Sequence, residues 1–234
     1  MKQKVSDYIA EYIAQWGIRD VFTVTGGGAM HMNDAFGHHK MLHCTYQHHE
    51  QACAMAAEAY ARLGNKMAAV CVTTGPGATN AITGVLGAWM DSIPMLVFSG
   101  QARYATTVSA SGLPLRSMGV QECNIVPVVK SLTKYAHMIV HPENIRYHLE
   151  KALYLAVNGR PGPVWLDIPL DVQGAVIETD DLKAYDPEEN PEQQPREIKD
   201  ETVEQILDKL QESKRPVLSP GNGVRLAGAH EDFY

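Results

Sequence analysis

Short apolar runs alternate with helical patterns through the first 170 residues of the chain. Residues 67–73 and 94–99 are almost continuously apolar and have the length of buried strands. Further strand patterns lie at residues 21–24, 42–46, 134–140 and 164–168. Strands that are apolar on both faces and are separated by helices are typical of a parallel sheet. The sequence therefore predicts an α/β fold whose parallel sheet is covered by helices on both faces.

Four candidate features follow predicted strands, at the edge of the sheet where ligands bind in such folds. They are the glycines at 26–28, the carboxylate of Glu50, the glycine turn at 75–77 and the loop at 100–121. Because the carboxyl ends of parallel strands meet at one edge, we expect these features to lie near one another. Their coincidence favours a functional site over packing alone.

Glu50 stands at the predicted start of a helix whose next turns are almost entirely small or apolar. Its alanines leave room for another backbone to pack very close: Ala52, Ala54, Ala56, Ala57, Ala59 and Ala61. An acid at the edge of such a surface is partly desolvated, which suits it to proton exchange. The alternative is a structural glutamate that the helix dipole stabilises. This segment by itself leaves both interpretations open.

The glycine-rich loops and the histidines are weak signals when each is taken alone. Residues 26–28 and 74–80 suit a phosphate site at a helix N-terminus or a tight turn, and both lack the P-loop lysine. Six histidines fall between residues 31 and 49, with little cysteine or carboxylate company. We therefore predict no metal site among them.

Composition excludes several classes of partner. The net charge of −7 is confined to residues 178–201, where ten acids face three bases. The remainder of the chain is balanced, which argues against nucleic acid and anionic lipid as partners. No apolar run approaches the roughly 20 residues of a membrane helix. The four cysteines lack metal spacing, so we interpret them as reduced thiols of a cytoplasmic protein.

Three segments are predicted along the chain. Residues 1–172 form the α/β domain, and residues 173–199 form an acidic, proline-containing linker. Residues 200–234 begin a second α/β domain, with a helix at 200–210 and a strand at 215–218 before a glycine turn. So short a segment cannot complete a domain, so we expect the chain to be a truncated piece of a longer protein.

Taken together and in order, six motifs resemble the acetolactate synthase group of thiamine diphosphate enzymes. The resemblance covers residues 1 to about 172, and the tail resembles the start of that family's central domain. The motifs are residues 26–29, 49–51 with 55–56 and 59–62, 74–80, 90–94, 121–122, and 159–164 with 167–169.

The resemblance implies that this domain is the pyrimidine-binding domain of a thiamine diphosphate enzyme. Glu50 then corresponds to the catalytic glutamate, which hydrogen-bonds the pyrimidine ring and promotes removal of the thiazolium C2 proton. The cofactor lies across a dimer interface, and the close-packed alanines fit that interface in a homodimer or tetramer. Mg²⁺ and the diphosphate are held by a C-terminal domain that this chain lacks, and FAD is compatible with the family. The chain alone is therefore expected to be inactive.

The same resemblance implies four further cofactor contacts. Gly27 and Gly28 let the first loop approach the reacting centre. Pro76 and Asn80 match positions that wall or contact the pyrimidine ring. None of these residues is implied to bind metal.

On the substrate side, Gln121 matches a glutamine whose amide can bond a carbonyl or carboxylate. Val120 stands where true acetolactate synthases usually have phenylalanine, which leaves the pair of 2-oxo acid substrates open. We expect a carboligase that decarboxylates one 2-oxo acid and joins the remainder to an acceptor. The alternatives are a simple 2-oxo acid decarboxylase and a non-catalytic binding module. Residues 100–120 lack the histidine pair of pyruvate decarboxylase-like members, which favours carboligation.

Overall fold

A computed structural model describes residues 1–194 and 197–233. It divides the chain into two compact units, Met1–Gln193 and Gln194–Tyr234. The strands are β1 (Lys2–Lys4), β2 (Asp20–Thr23), β3 (His43–Tyr46), β4 (Ala69–Val72), β5 (Met95–Gln101), β6 (Tyr135–Met138), β7 (Pro163–Pro169) and β8 (Val176–Glu178). The helices are α1 (Val5–Trp16), α2 (Met30–His38), α3 (Glu50–Gly64), α4 (Pro76–Asn80), α5 (Ile82–Met90), α6 (Val108–Ser111), α7 (Ile125–Val129), α8 (Ile145–Val157), α9 (Leu170–Gly174), α10 (Asp200–Glu212), α11 (Asn222–Leu226) and α12 (His230–Phe233).

The main sheet of the first unit has six parallel strands in the order β3-β2-β4-β5-β7-β6. Its central strands β4, β5 and β7 are buried along their whole length. Leu96 and Phe98 pack into the core on one face with α1, α2 and α8, whereas Met95 and Val97 pack against α3 and α5 on the other. The predicted fold class is confirmed, and cover on both faces explains why these strands are continuously apolar.

Helix α3 packs against α5 of the same chain. A Cβ added at Gly84 of α5 would lie 2.6 Å from the Ala54 Cβ and 2.7 Å from the Met55 backbone nitrogen. Ala57 and Ala61 are also buried in this unit. The expected close approach of another backbone is present within the chain, where Gly84 of α5 meets Ala54. The dimer interface itself stays a prediction.

Residues after 172 continue to pack on the first unit. β8 pairs antiparallel with β1 at the N-terminus, and Ile177, Leu182 and Tyr185 are buried. The structure therefore keeps 173–193 with the domain, whereas the sequence suggested a linker over 173–199. The prolines and acids of this segment suggested a linker, because its few buried apolar residues are scattered among them. Composition also gives no sign that residues 176–178 pair with the strand at residues 2–4.

In the second unit α10 covers the predicted helix at residues 200–210. The strand predicted at residues 215–218 is not formed; these residues have no regular structure, and Val217 is 87% exposed. A strand needs a neighbouring strand for its backbone hydrogen bonds, and this unit supplies none among its described residues.

Across residues 1–194 and 197–233, no helix combines the length and the apolar character that crossing a membrane requires.

Candidate active site

Glu50 occupies the first position of α3, immediately after the parallel strand β3 and a short turn. His49 caps the helix, because its Nδ1 accepts a hydrogen bond from the Gln51 N–H at 3.1 Å. The cap fixes where the helix begins and therefore where the Glu50 side chain emerges. Its carboxylate is half-buried, at the carboxyl-end edge of the sheet.

The turn between β4 and α4 lies directly against this carboxylate. The Asn80 Nδ2 donates to Glu50 Oε2 at 3.0 Å. A Cβ at Gly77 would lie 3.3 Å from Glu50 Oε1 and 2.7 Å from Thr73 Cγ2. Pro76 is the first residue of α4 and is exposed, as is Asn80. The structure thus brings three of the predicted residues together, Glu50 at the start of α3 and Pro76 and Asn80 at the two ends of α4.

The first glycine loop packs on the same turn. The Gly28 N–H donates to Thr73 Oγ1 at 3.0 Å, and a Cβ at Gly28 would overlap Thr74 Oγ1. At Gly27, in contrast, an added Cβ would meet no atom within 4 Å. Gly28 is therefore required by packing inside the protein, whereas Gly27 borders open space that a ligand can use.

Gln121 reaches the site from the long loop after β5. Its backbone adopts the left-handed conformation, with φ 55°, which a residue with a side chain rarely holds without support. Gly75 has φ 60°, and a Cβ there would overlap the Gln121 carbonyl oxygen. Two turns that are far apart in sequence thus touch through their backbones, and Gly75 makes that contact sterically possible.

A cavity of about 480 Å³ opens between the first glycine loop and the loop after β5. Gly27, Gly28 and Gln121 line it; the other predicted site residues, at Glu50 and α4, lie outside the lining. Thr73 connects the two groups, because it lines the cavity and also lies against Gly77. The lining residues are Gly26, Gly27, Gly28, Met30, Thr73, Thr74, Gln101, Ala102, Arg103, Thr106, Val120, Gln121 and Leu170.

Glu122 organises the loop that carries Gln121. Its Oε1 accepts the Val108 N–H at 2.8 Å, and its Oε2 accepts the N–H groups of Met118 and Gly119, both at 2.9 Å. Burial raises the pKa of the Glu122 carboxyl, but these three backbone donors outweigh it and hold the pKa below its usual value. The sequence does not predict this role, because an acid beside a motif glutamine gives no sign of which amides it will meet.

A buried polar network supports the same loop from β5 and β7. Gln101 Nε2 donates to the Cys123 carbonyl at 2.8 Å and to Asp167 Oδ2 at 3.1 Å. Ser99 Oγ donates to Asp167 Oδ1 at 2.6 Å, and Trp165 Nε1 donates to Ser99 Oγ at 2.8 Å. The only sign of this network in the sequence is the presence of polar residues inside otherwise apolar strands.

Asp167 predicts a pH dependence of stability. Burial raises the pKa of its carboxyl to about 7, against the lowering effect of its bonds to Ser99 and Gln101. Between the ordinary Asp pKa of about 3.9 and 7, the folded chain holds a proton that the unfolded chain releases. The contribution of the Asp167 carboxyl to the free energy of unfolding is therefore fully present below its pKa in the unfolded chain. This contribution falls as pH rises towards 7, by about 2 kcal/mol between pH 5 and 7.

Urea unfolding of the parent and Asp167→Asn across this pH window measures the effect. We expect the variant to lose this component of the pH dependence, since its amide does not titrate. Equal slopes in the two proteins would contradict a raised pKa at Asp167.

Among the described residues, no group of three or more histidine, cysteine or acidic side chains is arranged to hold a metal ion. The cysteines at 44, 53, 71 and 123 are free thiols. His39 and His43 instead pair with single acids, Glu11 at 3.0 Å and Asp20 at 3.3 Å.

The sheet and the loops at its carboxyl edge define an α/β domain with a ligand-binding site at the ends of its parallel strands. Residues 3–122 match the family described as thiamine pyrophosphate enzyme, N-terminal TPP binding domain. The chain belongs to this family, and the resemblance drawn from the motifs is confirmed.

Curated relatives place the chain beside acetolactate synthases. Acetolactate synthase 2, chloroplastic, of Zea mays is 35% identical over 233 residues, covering 97% of this chain and 34% of that protein. The acetolactate synthase large subunit of Lactococcus lactis is 34% identical over 229 residues, covering 97% of this chain and 38% of that protein. Acetolactate synthase of Arabidopsis thaliana is 34% identical over 224 residues, covering 94% and 32%. The chain thus spans about a third of the length of these relatives.

Proposed function

We propose that this chain is the N-terminal part of a thiamine diphosphate-dependent, acetolactate synthase-like carboligase that acts on 2-oxo acids. The overall reaction is decarboxylation of one 2-oxo acid followed by formation of a C–C bond to an acceptor. The observation that carries the proposal is the Glu50 carboxylate at the start of α3, held by Asn80 against the glycine turn at 75–77.

The residues present fit the pyrimidine end of the cofactor. Glu50 Oε2 is bonded to Asn80, whereas Oε1 accepts no hydrogen bond from any described residue and remains available to a ligand. Gly27 borders open space, and Pro76 and Asn80 are exposed at the same edge. A half-buried acceptor beside exposed apolar and amide groups suits a heteroaromatic ring that carries hydrogen-bonding nitrogens.

Each residue has a separate task in this proposal. Glu50 exchanges a proton with the bound ring, and Asn80 keeps its carboxylate oriented. Gly27 and Pro76 wall the ring, Gly28 holds the first loop in place, and Gln121 presents its amide to the substrate. When bound, thiamine diphosphate supplies the electron sink that decarboxylation of a 2-oxo acid requires.

The remaining assignments concern the whole enzyme. We assign Mg²⁺ and the diphosphate to a C-terminal domain outside this chain, with FAD compatible as a further cofactor. A homodimer or tetramer is supported by apolar side chains on the outer faces of α3 and α5: Met55 is 46% exposed, Leu86 39% and Met90 66%. We propose a cytoplasmic location and the formal classes transferase and lyase.

Stoichiometry tests the proposal. The full-length protein, supplied with thiamine diphosphate, Mg²⁺ and pyruvate or another 2-oxo acid, is expected to consume two molecules of 2-oxo acid for each CO₂ released. A ratio of one, with an aldehyde as product, would instead identify the alternative, a 2-oxo acid decarboxylase. If no 2-oxo acid in a panel were consumed, the proposed function would fall, and a non-catalytic binding module would become the better interpretation.

A further inference from the structure

Gln101, the last residue of β5, uses both ends of its side-chain amide for hydrogen bonds inside the protein. It is 1% exposed, although it belongs to the wall of the cavity beside Gln121. Its Nε2 donates to the Cys123 carbonyl at 2.8 Å and to Asp167 Oδ2 at 3.1 Å, and its Oε1 accepts the Ala102 N–H at 3.0 Å. Both N–H groups and the oxygen are thus engaged. The role of Gln101 therefore lies in the parts of the protein that it joins.

Two of these partners, Ala102 and Cys123, are the two ends of one loop. The loop leaves the sheet after β5, contains Gln121 and returns at Cys123, shortly before α7 begins at Ile125. One buried side chain therefore joins both ends of the loop to the end of a central strand. Because Gln121 precedes Cys123 by only two residues, a shift of the Cys123 carbonyl would also move Gln121.

Gln121 needs such support, because its φ of 55° persists only where the surrounding structure enforces it. The three hydrogen bonds of the Glu122 carboxylate stay within the loop, on the N–H groups of residues 108, 118 and 119. They give the loop its internal shape. The bond from Gln101 to the Cys123 carbonyl, in contrast, ties the loop to the sheet and so sets where that shape is placed.

Asp167 on β7 fixes which way the Gln101 amide points. The carboxyl group is fully buried, and Ser99 Oγ donates to its Oδ1 at 2.6 Å while Gln101 Nε2 donates to its Oδ2. A flipped amide would place its oxygen against the Asp167 carboxylate and the Cys123 carbonyl. It would also turn its nitrogen towards the Ala102 N–H. All three contacts would become repulsive, so one orientation of Gln101 is strongly favoured.

We propose that Gln101 is a positioning residue, which holds Gln121 where its amide can meet the 2-oxo acid. This inference rests on the proposed carboligase function, in which Gln121 presents its amide to the substrate. Gln101 acts through the loop and contacts no reacting atom. A binding group that is already in place saves the cost of ordering it when the substrate arrives. The effect of Gln101 therefore belongs to substrate binding and not to the activation of the cofactor by Glu50.

Gln101→Met in the full-length holoenzyme tests this role, with pyruvate as the substrate. Methionine has nearly the same length and cannot form the three hydrogen bonds. We expect the KM for pyruvate to rise roughly 3- to 10-fold, the usual net worth of one hydrogen bond between neutral groups. Proton exchange at C2 of thiamine diphosphate should stay within about two-fold of the parent, because the contact between Glu50 and Asn80 is not altered.

A double variant distinguishes positioning from general damage to the fold. If Gln101 acts through Gln121, Gln101→Met combined with Gln121→Ala should have the KM of Gln121→Ala alone, within about two-fold. The amide that Gln101 positions is already absent there. Losses that multiply in the double variant would overturn the proposal, because independent effects add as free energies.

Thr133→Val is the matched control, since it removes another buried hydrogen bond from a side chain to a backbone carbonyl, that of Val129 at 2.9 Å. It should leave the KM for pyruvate unchanged. An equal rise of KM in Thr133→Val and Gln101→Met would contradict a specific role of Gln101. If the parent consumed no 2-oxo acid at all, the proposed function would fail before this comparison.

Labelling of the Cys123 thiol gives a readout that does not depend on turnover. This thiol is half-buried, and burial raises its pKa. In Gln101→Met the loop loses its tie to the sheet, so a thiol reagent should label Cys123 roughly 3- to 10-fold faster than in the parent. Half-buried Cys44 on β3 is the internal control, and peptide mapping by mass spectrometry quantifies both. Equal labelling of Cys123 in the two proteins would overturn the proposal, whether or not the parent is active.

Discussion

Glu50→Gln is expected to slow proton exchange at C2 of thiamine diphosphate by roughly 10²–10⁴-fold in the full-length enzyme. The substituted amide occupies nearly the same space and keeps an oxygen for the Asn80 Nδ2, which now lies 3.0 Å from Glu50 Oε2. It cannot exchange a proton with the bound ring as a carboxylate does. The variant should therefore retain its fold and cofactor site and lose the activation step.

Deuterium exchange at C2, quenched in acid and followed by NMR, measures this step without any substrate. Glu58→Gln is the matched control, because Glu58 lies two turns further along α3 and pairs with Arg62 on the surface. Its exchange rate should remain that of the parent. If Glu50→Gln exchanged as fast as Glu58→Gln, Glu50 would not be the activating acid.

The architecture was largely predictable because each central strand is buried on both faces. In such strands most side chains are apolar, and the resulting runs at residues 67–73 and 94–99 can be recognised in the sequence alone. Short edge structure was not predictable in this way. The pairing of β1 with β8 joins segments more than 170 residues apart, and neither strand has a run long enough to signal it.

The candidate site also contains residues that the sequence predicts and residues that it does not. Glu50, Asn80 and Gln121 belong to ordered motifs, and the structure places Asn80 against Glu50 and the Gln121 backbone against Gly75. Groups that act through tertiary contacts carry no comparable local signal. Glu122 meets amides up to 14 residues away, and the wall of the cavity beside Gln121 is built from five separate segments.

The buried alanines of α3 show the limit of reasoning from residue size alone. Small residues correctly indicated that a second backbone approaches closely. They contained no information on whether that backbone belongs to the same chain, and the neighbour is α5, with Gly84 against Ala54.

Gly100→Ala is expected to destabilise the chain by about 3 kcal/mol or more, a large loss for a single methyl group. Gly100 is buried in β5, and an added Cβ would lie 2.6 Å from the Ala29 nitrogen and closer still to the Gly28 carbonyl. These are backbone atoms, so no side chain can rotate away. The Gly28 carbonyl is also held by Gln173 Nε2 at 2.7 Å, which resists displacement of the loop.

Gly27→Ala is the matched variant, one residue from the atoms that Gly100 touches. Its Cβ would meet no atom within 4 Å, and its backbone is not left-handed, so we expect unfolding in urea within about 0.5 kcal/mol of the parent. In the full-length enzyme the same methyl group would enter the space assigned to the cofactor, so affinity for thiamine diphosphate should fall. Unchanged affinity in Gly27→Ala would remove Gly27 from the cofactor site, and unchanged stability in Gly100→Ala would mean that the first glycine loop can move away from β5. Opposite outcomes for one substitution at two neighbouring glycines would separate the glycine that the fold requires from the glycine that the ligand requires.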